Sequence, residues 1–310
     1  MTAYSHTFLA WFFFNAAVAI MLAVDLGIFH KKTHTPSYTE ALAWSLVWLG
    51  LALLFGVWLT YDQGKEWGIL FFTGYALEKS LSLDNVMVFA VIFQALKIPS
   101  VYQHKVLFWG VLGALIMRFL MIWSGVILLE KFHFLIYIFG VLLILTGVKF
   151  IYFGDTKSDL KETWGWRFLQ KFLPIDNTLR GSKFIIKRGG QLFATPLLVA
   201  LVLIEFSDLV FAVDSIPAIF AITRDPFIVY TANIFAILGL RSLYFLLANA
   251  LDKLRYLKQG LAVILFFVGL KMIGIIKIDP LYSLIIILSI LGTATLLSFF
   301  LKEEICRKKS

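Results

Sequence analysis

Acidic side chains occur within stretches of this sequence that are otherwise strongly apolar. An Asp at the centre of a membrane-spanning helix costs about 2.5–3.5 kcal/mol on insertion scales, unless it faces another polar group, a cation or water. Carboxylates collected in such surroundings suit cation binding or proton transfer, so they are the candidate functional residues. The acids concerned are Asp25, Glu78, Asp84, Glu205, Asp208 and Asp214.

Most of these acids lie in two motifs, EKSLSLDN (78–85) and EFSDLVFAVDSIPAIFA (205–221). At about 100° per residue, Glu205 and Asp208 are about 60° apart around a helix and share a face. Glu78 and Asn85 are about 20° apart and also share a face. The remaining acids of the two motifs fall off these faces. They either meet a different neighbour or lie where the helix is broken.

Pro217 favours such a break in the second motif. It has no N–H to donate to the carbonyl of Val213, so this oxygen becomes available beside Asp214. The hydroxyl of Ser215 is an additional oxygen nearby. Val213 and Ser215 are therefore possible further ligands or members of a proton path, as is Asp25.

The oxygen atoms of these side chains predict which kind of ion would bind. Carboxylate, amide, hydroxyl and carbonyl oxygens suit Mg²⁺, Ca²⁺ or Mn²⁺, whereas Zn²⁺, Cu and Ni²⁺ usually recruit imidazole or thiolate. The five histidines lie in loops or at span ends, and the one cysteine, Cys306, lies in a polar tail. We therefore expect a hard divalent cation as a transported substrate and no prosthetic group. The predicted metal ligands are Glu78, Asp84, Asn85, Glu205, Asp208 and Asp214.

Ion pairing within the bundle is the alternative explanation of the buried acids. Basic residues are available inside the same apolar stretches. They are Lys79, Arg118, Arg241 and Lys271.

Composition indicates the kind of protein that holds these residues. Of 310 residues, 60% are hydrophobic and 15% are charged, which excludes an ordinary soluble domain. Hydropathy predicts an all-α polytopic membrane protein with about nine spans. The spans are 8–29, 39–61, 67–95, 106–129, 133–153, 192–222, 226–250, 257–276 and 280–301. The net charge of +9 then reflects loop sidedness and predicts no nucleic-acid partner.

The distribution of basic residues predicts the orientation. With the N-terminus outside, the inward loops hold 19 Lys and Arg and the outward loops hold 4. The positive-inside rule therefore predicts an N-out/C-in topology. Residues 1–310 then form a single transmembrane domain, with a cytoplasmic linker at 154–191 and a cytoplasmic tail at 302–310.

An internal repeat is visible in the order of features. Each copy has a mid-span Glu, an acidic cluster, a Pro-containing loop, a Gly followed by an Arg, and a closing Gly-x-Lys. Glu78 to Pro99 and Glu205 to Pro226 are both 21 residues apart. Each copy contains three spans, so the copies at 67–153 (spans 3–5) and 192–276 (spans 6–8) run in opposite senses. This predicts an inverted repeat with central polar residues, as secondary transporters have.

The two motifs and the VDLGIFH sequence at 24–30 resemble the TerC family of integral membrane proteins, and its Alx branch in particular. This resemblance implies export of Mn²⁺ across the bacterial inner membrane, in a fold related to LysE-type exporters. It also implies roles for the motif acids and their neighbours. These are Glu78, Asp84, Glu205, Asp208 and Asp214, with Asn85 and Ser215.

We therefore expect a multi-pass transporter that exchanges a divalent cation for protons, and not an enzyme. The lipid bilayer, the cation and protons are its predicted partners, and the sequence predicts no particular protein partner. Two other readings stay open: a membrane-assembly or metallation factor that binds proteins through 154–191, and a tellurite resistance factor. The last fits less well, because an oxyanion site needs basic groups.

Overall fold

The computed structural model describes residues 8–29, 37–132, 134–152, 174–176, 179, 181–188, 190–247 and 256–307. Side chains are not described at every helical position in these ranges. Those of Asp25 and Asp84, both predicted site residues, lie outside the described part.

Five helices form the first half of the chain. They are α1 (Phe8–Phe29), α2 (Tyr38–Gln63), α3 (Lys65–Ala95), α4 (Ser100–Lys131) and α5 (Leu135–Tyr152). Ser37 caps α2 by accepting a hydrogen bond from the backbone N–H of Glu40.

A short hairpin and five more helices follow. They are β1 (Ile185–Arg188), β2 (Gln191–Ala194), α6 (Pro196–Phe220), α7 (Pro226–Leu238), α8 (Leu240–Leu247), α9 (Leu257–Met272) and α10 (Pro280–Arg307). Asp225 caps α7 by accepting from the N–H groups of Phe227 and Ile228, and Pro226 stands at the first helical position.

The helices agree with an all-α membrane protein. Each predicted apolar stretch contains helix in the described residues, and the seventh contains two helices, α7 and α8. By length and apolar composition, four of the described helices can cross a membrane, namely α2, α4, α6 and α10. The α7–α8 pair, bent by 40°, makes a fifth if it is one span. The number nine stays a prediction.

The end of the predicted linker, 154–191, contains a β-hairpin that was not predicted from the sequence. Residues 185–188 pair antiparallel with 191–194, with Ile185 opposite Ala194. Gly190 has φ 85°, a conformation that a glycine adopts without strain. The sixth helix consequently begins at Pro196, four residues after the predicted start at 192.

The expected break at Pro217 is absent, because α6 continues to Phe220. Only the last turn lies beyond the proline, so the missing N–H removes a single hydrogen bond and the helix can still close. Within the described chain, the interruption is instead at Gly239, between α7 and α8. A Cβ there would lie 2.9 Å from Lys79 Nζ and 3.2 Å from Trp48 Cβ, which explains the need for glycine.

Helices of the two proposed repeat copies pack in reciprocal pairs. Helix α3 packs against α7, and its counterpart α6 packs against α4. Helix α5 packs most extensively against α9.

Small residues make the α5–α9 contact close. A Cβ on Gly269 would lie 2.8 Å from the carbonyl oxygen of Gly140, and one on Gly147 would lie 2.7 Å from that of Ala262. In the repeat, Gly140 corresponds to Ala262 and Gly147 to Gly269. The contacts are therefore crosswise, as a two-fold relation between the copies requires.

Candidate metal centre

A buried arginine joins the two acidic motifs. Arg118 of α4 donates through Nη1 to Glu78 Oε2 of α3 at 2.9 Å. Its Nη2 and Nε donate to the two carboxylate oxygens of Asp208 on α6, at 3.2 and 3.3 Å. The three residues are only 3%, 2% and 3% exposed for Arg118, Glu78 and Asp208. The planar guanidinium fork suits this arrangement, which a compact ammonium group could not reproduce.

Two polar residues complete the environment of the ion pairs. Asn85 Nδ2 donates to Asp208 Oδ1 at 3.1 Å, and Arg118 Nη1 also donates to Ser215 Oγ at 2.9 Å. Asn85 and Ser215 are themselves buried. We define the Arg118 cluster as these five residues: Glu78, Asn85, Arg118, Asp208 and Ser215.

Several buried polar atoms in or beside this cluster have no hydrogen-bond partner among the described residues. They include Glu78 Oε1 and Asn85 Oδ1, both acceptor oxygens. The side chain of Asn233, on α7, interacts with the Glu78 carboxyl, yet neither its amide nitrogen nor its oxygen makes a hydrogen bond to a described group. Unsatisfied buried acceptors are uncommon in folded proteins and indicate a position for water or a cation.

Glu205 is near the cluster but is not part of it. It lies one helical turn before Asp208 and is only half-buried. Its carboxyl group fills the space that the missing side chain of Gly113 leaves on α4. In the described part of the chain it has neither an ion pair nor a hydrogen bond. As the helical angles predict, Glu205 and Asp208 both face α4.

Asp214 lies at a separate place on α6. Thr146 of α5 donates to its Oδ1 at 3.2 Å, and the Lys149 ammonium interacts with it electrostatically. Asp214 is half-buried, whereas Lys149 is exposed. The structure thus separates Asp214 from the Arg118 cluster, although one motif holds both Asp208 and Asp214. Val213 has a largely exposed side chain.

The predicted site residues consequently fall into three groups. Glu78, Asn85, Asp208 and Ser215 come together, while Glu205 and Asp214 each have a place of their own. Across the described residues, no set of three His, Cys, Asp or Glu side chains is arranged to hold a metal ion. The side chains of Asp25 and Asp84 lie outside this described part. The cluster with its arginine in place carries two negative charges and one positive charge.

Of the basic residues considered as ion-pair partners, Arg118 forms ion pairs with two of the predicted site acids. Lys79 Nζ instead donates to the carbonyl oxygen of Ala236 at 3.4 Å, and Lys271 Nζ donates to Ser283 Oγ at 2.8 Å. From the sequence, Arg118 is only a possible ion-pair partner of the buried acids, in the alternative that needs no metal site. The sequence gives no role to Asn233, Thr146 or Gly113, because each acts across helices that are distant in the chain.

Comparison with known proteins gives a consistent picture. The family described as "Integral membrane protein TerC family" matches residues 63–305. The uncharacterized membrane protein STKORF319 of Myxococcus xanthus is 51% identical over 290 residues, which cover 93% of this chain and 91% of that protein.

Two further relatives cover most of the chain. A membrane protein of Rickettsia felis is 45% identical over 97% of this chain and 98% of its own length. Alx of Escherichia coli, provisionally named a membrane-bound redox modulator, is 44% identical over 86% of this chain and 85% of its own length. No solved structure matches the chain significantly.

Proposed function

The chain belongs to the TerC family of integral membrane proteins, and from this premise we propose that it exports a hard divalent cation, most specifically Mn²⁺, from the bacterial cytoplasm in exchange for protons. Glu78, Asp208 and Asn85 are the proposed core of the binding site, with Asn233 beside them. We further propose nine spans in the inner membrane, an N-out/C-in orientation and an inverted repeat.

One observation carries the proposal. Carboxylates from α3 and α6 converge on one buried point, and acceptor oxygens of Glu78 and Asn85 there have no partner in the described structure. Oxygen-only ligands select Mg²⁺, Ca²⁺ or Mn²⁺. The preference for Mn²⁺ comes from the family resemblance. The crosswise packing of α5 and α9 supports the repeat, and a site between inverted halves is typical of secondary transporters.

Coupling to protons follows from the same oxygens. A proton and a divalent cation compete for a carboxylate, so binding of one releases the other. Glu205 and Asp214 extend the acidic region beyond the Arg118 cluster and are the proposed additional proton or cation groups. Asp84 and Asp25 stay in the proposal on sequence grounds.

The experiment is cation uptake into inverted membrane vesicles under an imposed pH gradient, with Mn²⁺, Ca²⁺ and Mg²⁺ tested separately. We expect uptake of Mn²⁺ by vesicles with the wild-type protein, and loss of uptake in Glu205→Gln and Asp214→Asn at equal amounts of inserted protein. Glu66→Gln is the matched control, because Glu66 is an exposed acid on α3. Normal uptake by both site variants would contradict the scheme.

A membrane-assembly or metallation factor is the second candidate. The Arg118 ion pairs favour it, because they can stabilise the bundle without any guest. Vesicles that transport none of the three cations would support this candidate. A direct tellurite transporter is disfavoured, because an oxyanion at Arg118 would meet two carboxylates.

The name of the Alx relatives mentions redox chemistry. A single chain of this protein has one cysteine, Cys306, so it cannot form a disulfide within itself. We therefore assign no thiol chemistry to it.

A further inference from the structure

We infer that Arg118 is a tethered counter-ion: its guanidinium occupies the position between Glu78 and Asp208 that the transported cation takes, and the cation must displace it. The inference rests on the proposed function and names the group with which the substrate competes. It concerns a basic residue in a site otherwise defined by its acids.

The guanidinium of Arg118 occupies the position between the two carboxylates in which a bound cation would lie. Its nitrogens contact three of the four carboxylate oxygens of the pair, at 2.9 to 3.3 Å. A divalent cation that bound both carboxylates would have to take at least one Asp208 oxygen that Arg118 holds. Both cannot be held at once, because the guanidinium and the metal ion are positive and would share a buried space.

The polar atoms left over provide a way for a cation to approach. Glu78 Oε1 and Asn85 Oδ1 are buried acceptors without a partner among the described residues. A cation can contact these oxygens first, while Arg118 still holds the others. Two carboxylates with a bound arginine carry one net negative charge, and displacement of the arginine makes the second charge available to a divalent ion.

Ser215 provides a place for the displaced group. Arg118 Nη1 already donates to Ser215 Oγ at 2.9 Å. Ser215 lies seven residues after Asp208, about two turns along α6. A guanidinium that moves toward Ser215 keeps a hydrogen bond as it leaves Glu78.

The test is Mn²⁺ binding to the purified full chain in lipid nanodiscs, by titration calorimetry. Arg118→Gln removes the competing charge, so we expect Kd to fall by about tenfold or more, within the usual range of coupling between sites. Arg118→Lys keeps a positive charge but loses the guanidinium fork, so its Kd should lie between those of the wild type and Arg118→Gln. Lys149→Gln removes an exposed positive charge from α5 and is the matched control.

A second pair of variants keeps the inference testable if Arg118→Gln does not fold. Glu78→Gln leaves Asp208 paired with Arg118, whereas Glu78→Gln with Arg118→Gln leaves Asp208 free at the wild-type net charge. We expect the double variant to bind Mn²⁺ about tenfold more tightly than Glu78→Gln alone. Equal affinities in this pair, or a folded Arg118→Gln that binds no more tightly than the wild type, would overturn the inference.

The outcomes separate this inference from the proposed function. If wild-type vesicles transport Mn²⁺ but loss of Arg118 does not tighten binding, the counter-ion role is wrong and the exporter stands. If wild-type vesicles transport no cation but loss of Arg118 tightens binding, the exporter is wrong and the counter-ion role stands. If no variant binds Mn²⁺, the counter-ion role is overturned.

Discussion

Glu78 and Glu205 occupy matching places in the two repeat copies, yet their environments differ. Glu78 is 2% exposed and pairs with Arg118, whereas Glu205 is half-buried and has no ionic or hydrogen-bonding partner in the described chain. Both precede the proline of the next loop by 21 residues. The same position in a repeated framework therefore has two different electrostatic roles.

The difference comes from the helices that face the two acids. Arg118 follows Gly113 by five residues, whereas Arg241 follows Gly239 by two. At about 1.5 Å per residue, the two arginines therefore differ by about 4.5 Å in their height along the helix, measured from the matching glycines. The glycines also differ in what they admit, because Gly113 makes room for the Glu205 carboxyl and Gly239 for the Lys79 ammonium.

A shared backbone arrangement therefore does not impose shared chemistry. The two repeat copies contain similar helices. A single charged residue, Arg118, pairs with Glu78, whereas Glu205 has no such partner in the described chain. In a transporter, an acid paired like Glu78 suits regulated binding of a cation, and an acid without a partner like Glu205 suits exchange of protons.

Removal of Arg118 should have the largest effect on stability. Without divalent cations, Arg118→Gln leaves Glu78 and Asp208 as uncompensated buried charges, so we expect a loss of about 3–5 kcal/mol in the free energy of unfolding. Thermal unfolding in a chelator measures this loss, and added Mn²⁺ should recover part of it through binding to the folded state. An unchanged melting temperature would remove the basis for the comparison.

Replacement of the two matching glutamates should separate stability from transport. Glu78→Gln loses a charged hydrogen bond and should cost about 1.5–3 kcal/mol. Glu205→Gln loses no described partner and should change stability by about 0.5 kcal/mol or less. We expect both variants to lose Mn²⁺ uptake in vesicles. Equal destabilisation by the two changes would contradict the assignment of one paired and one open acid.

Gly113 and Gly239 are the matching glycines of the two repeat copies, and alanine at each should have a different effect on transport. A Cβ on Gly113 would lie 2.6 Å from Glu205 Cδ, so Gly113→Ala must displace that carboxyl and should lower the rate of uptake several-fold. Gly239→Ala meets Lys79 Nζ and Trp48 Cβ but none of the predicted site acids, so its uptake rate should stay closer to that of the wild type. Vesicle flux at equal expression checks both, and the reverse order would show that Glu205 does not need its present position.

Thr146→Val should have the smallest effect, because it removes one hydrogen bond to the half-buried Asp214. We expect about 0.5–1 kcal/mol of destabilisation by thermal unfolding, near the usual net value of a hydrogen bond. Thr295→Val is the control, since Thr295 donates only within its own helix, to Leu291. A larger loss in the control would mean that the Thr146 contact contributes little.

The sequence predicted the helices well where long apolar stretches define them. Helix α1 has the predicted bounds, and the ends of α2 and α3 differ from the predicted ones by no more than two residues. The β1–β2 hairpin was not predicted, although Gly189–Gly190, a dipeptide typical of turns, lies between two short segments that contain apolar residues, 185–186 and 192–194. Helix α3 was predicted as a span even though Glu78, Lys79 and Asp84 interrupt its apolar run.

The candidate site could be predicted only in part. Helical angles correctly group Glu205 with Asp208 on one face, because this relation is local. The choice of Arg118 over Lys79 as the counter-ion depends on how α3, α4 and α6 pack, across 90 residues between Arg118 and Asp208. The same holds for Asn233, which nothing in its local sequence marks as a neighbour of Glu78.

The central claim is that the buried carboxylates joined by Arg118 form the path of a divalent cation. The most direct measurement is Mn²⁺ uptake, driven by a pH gradient, into inverted vesicles that contain equal amounts of wild type, Asp208→Asn or Asp279→Asn. The account predicts uptake by the wild type and by Asp279→Asn, whose acid is exposed, and none above protein-free vesicles for Asp208→Asn. Uptake at the wild-type rate by Asp208→Asn would contradict it.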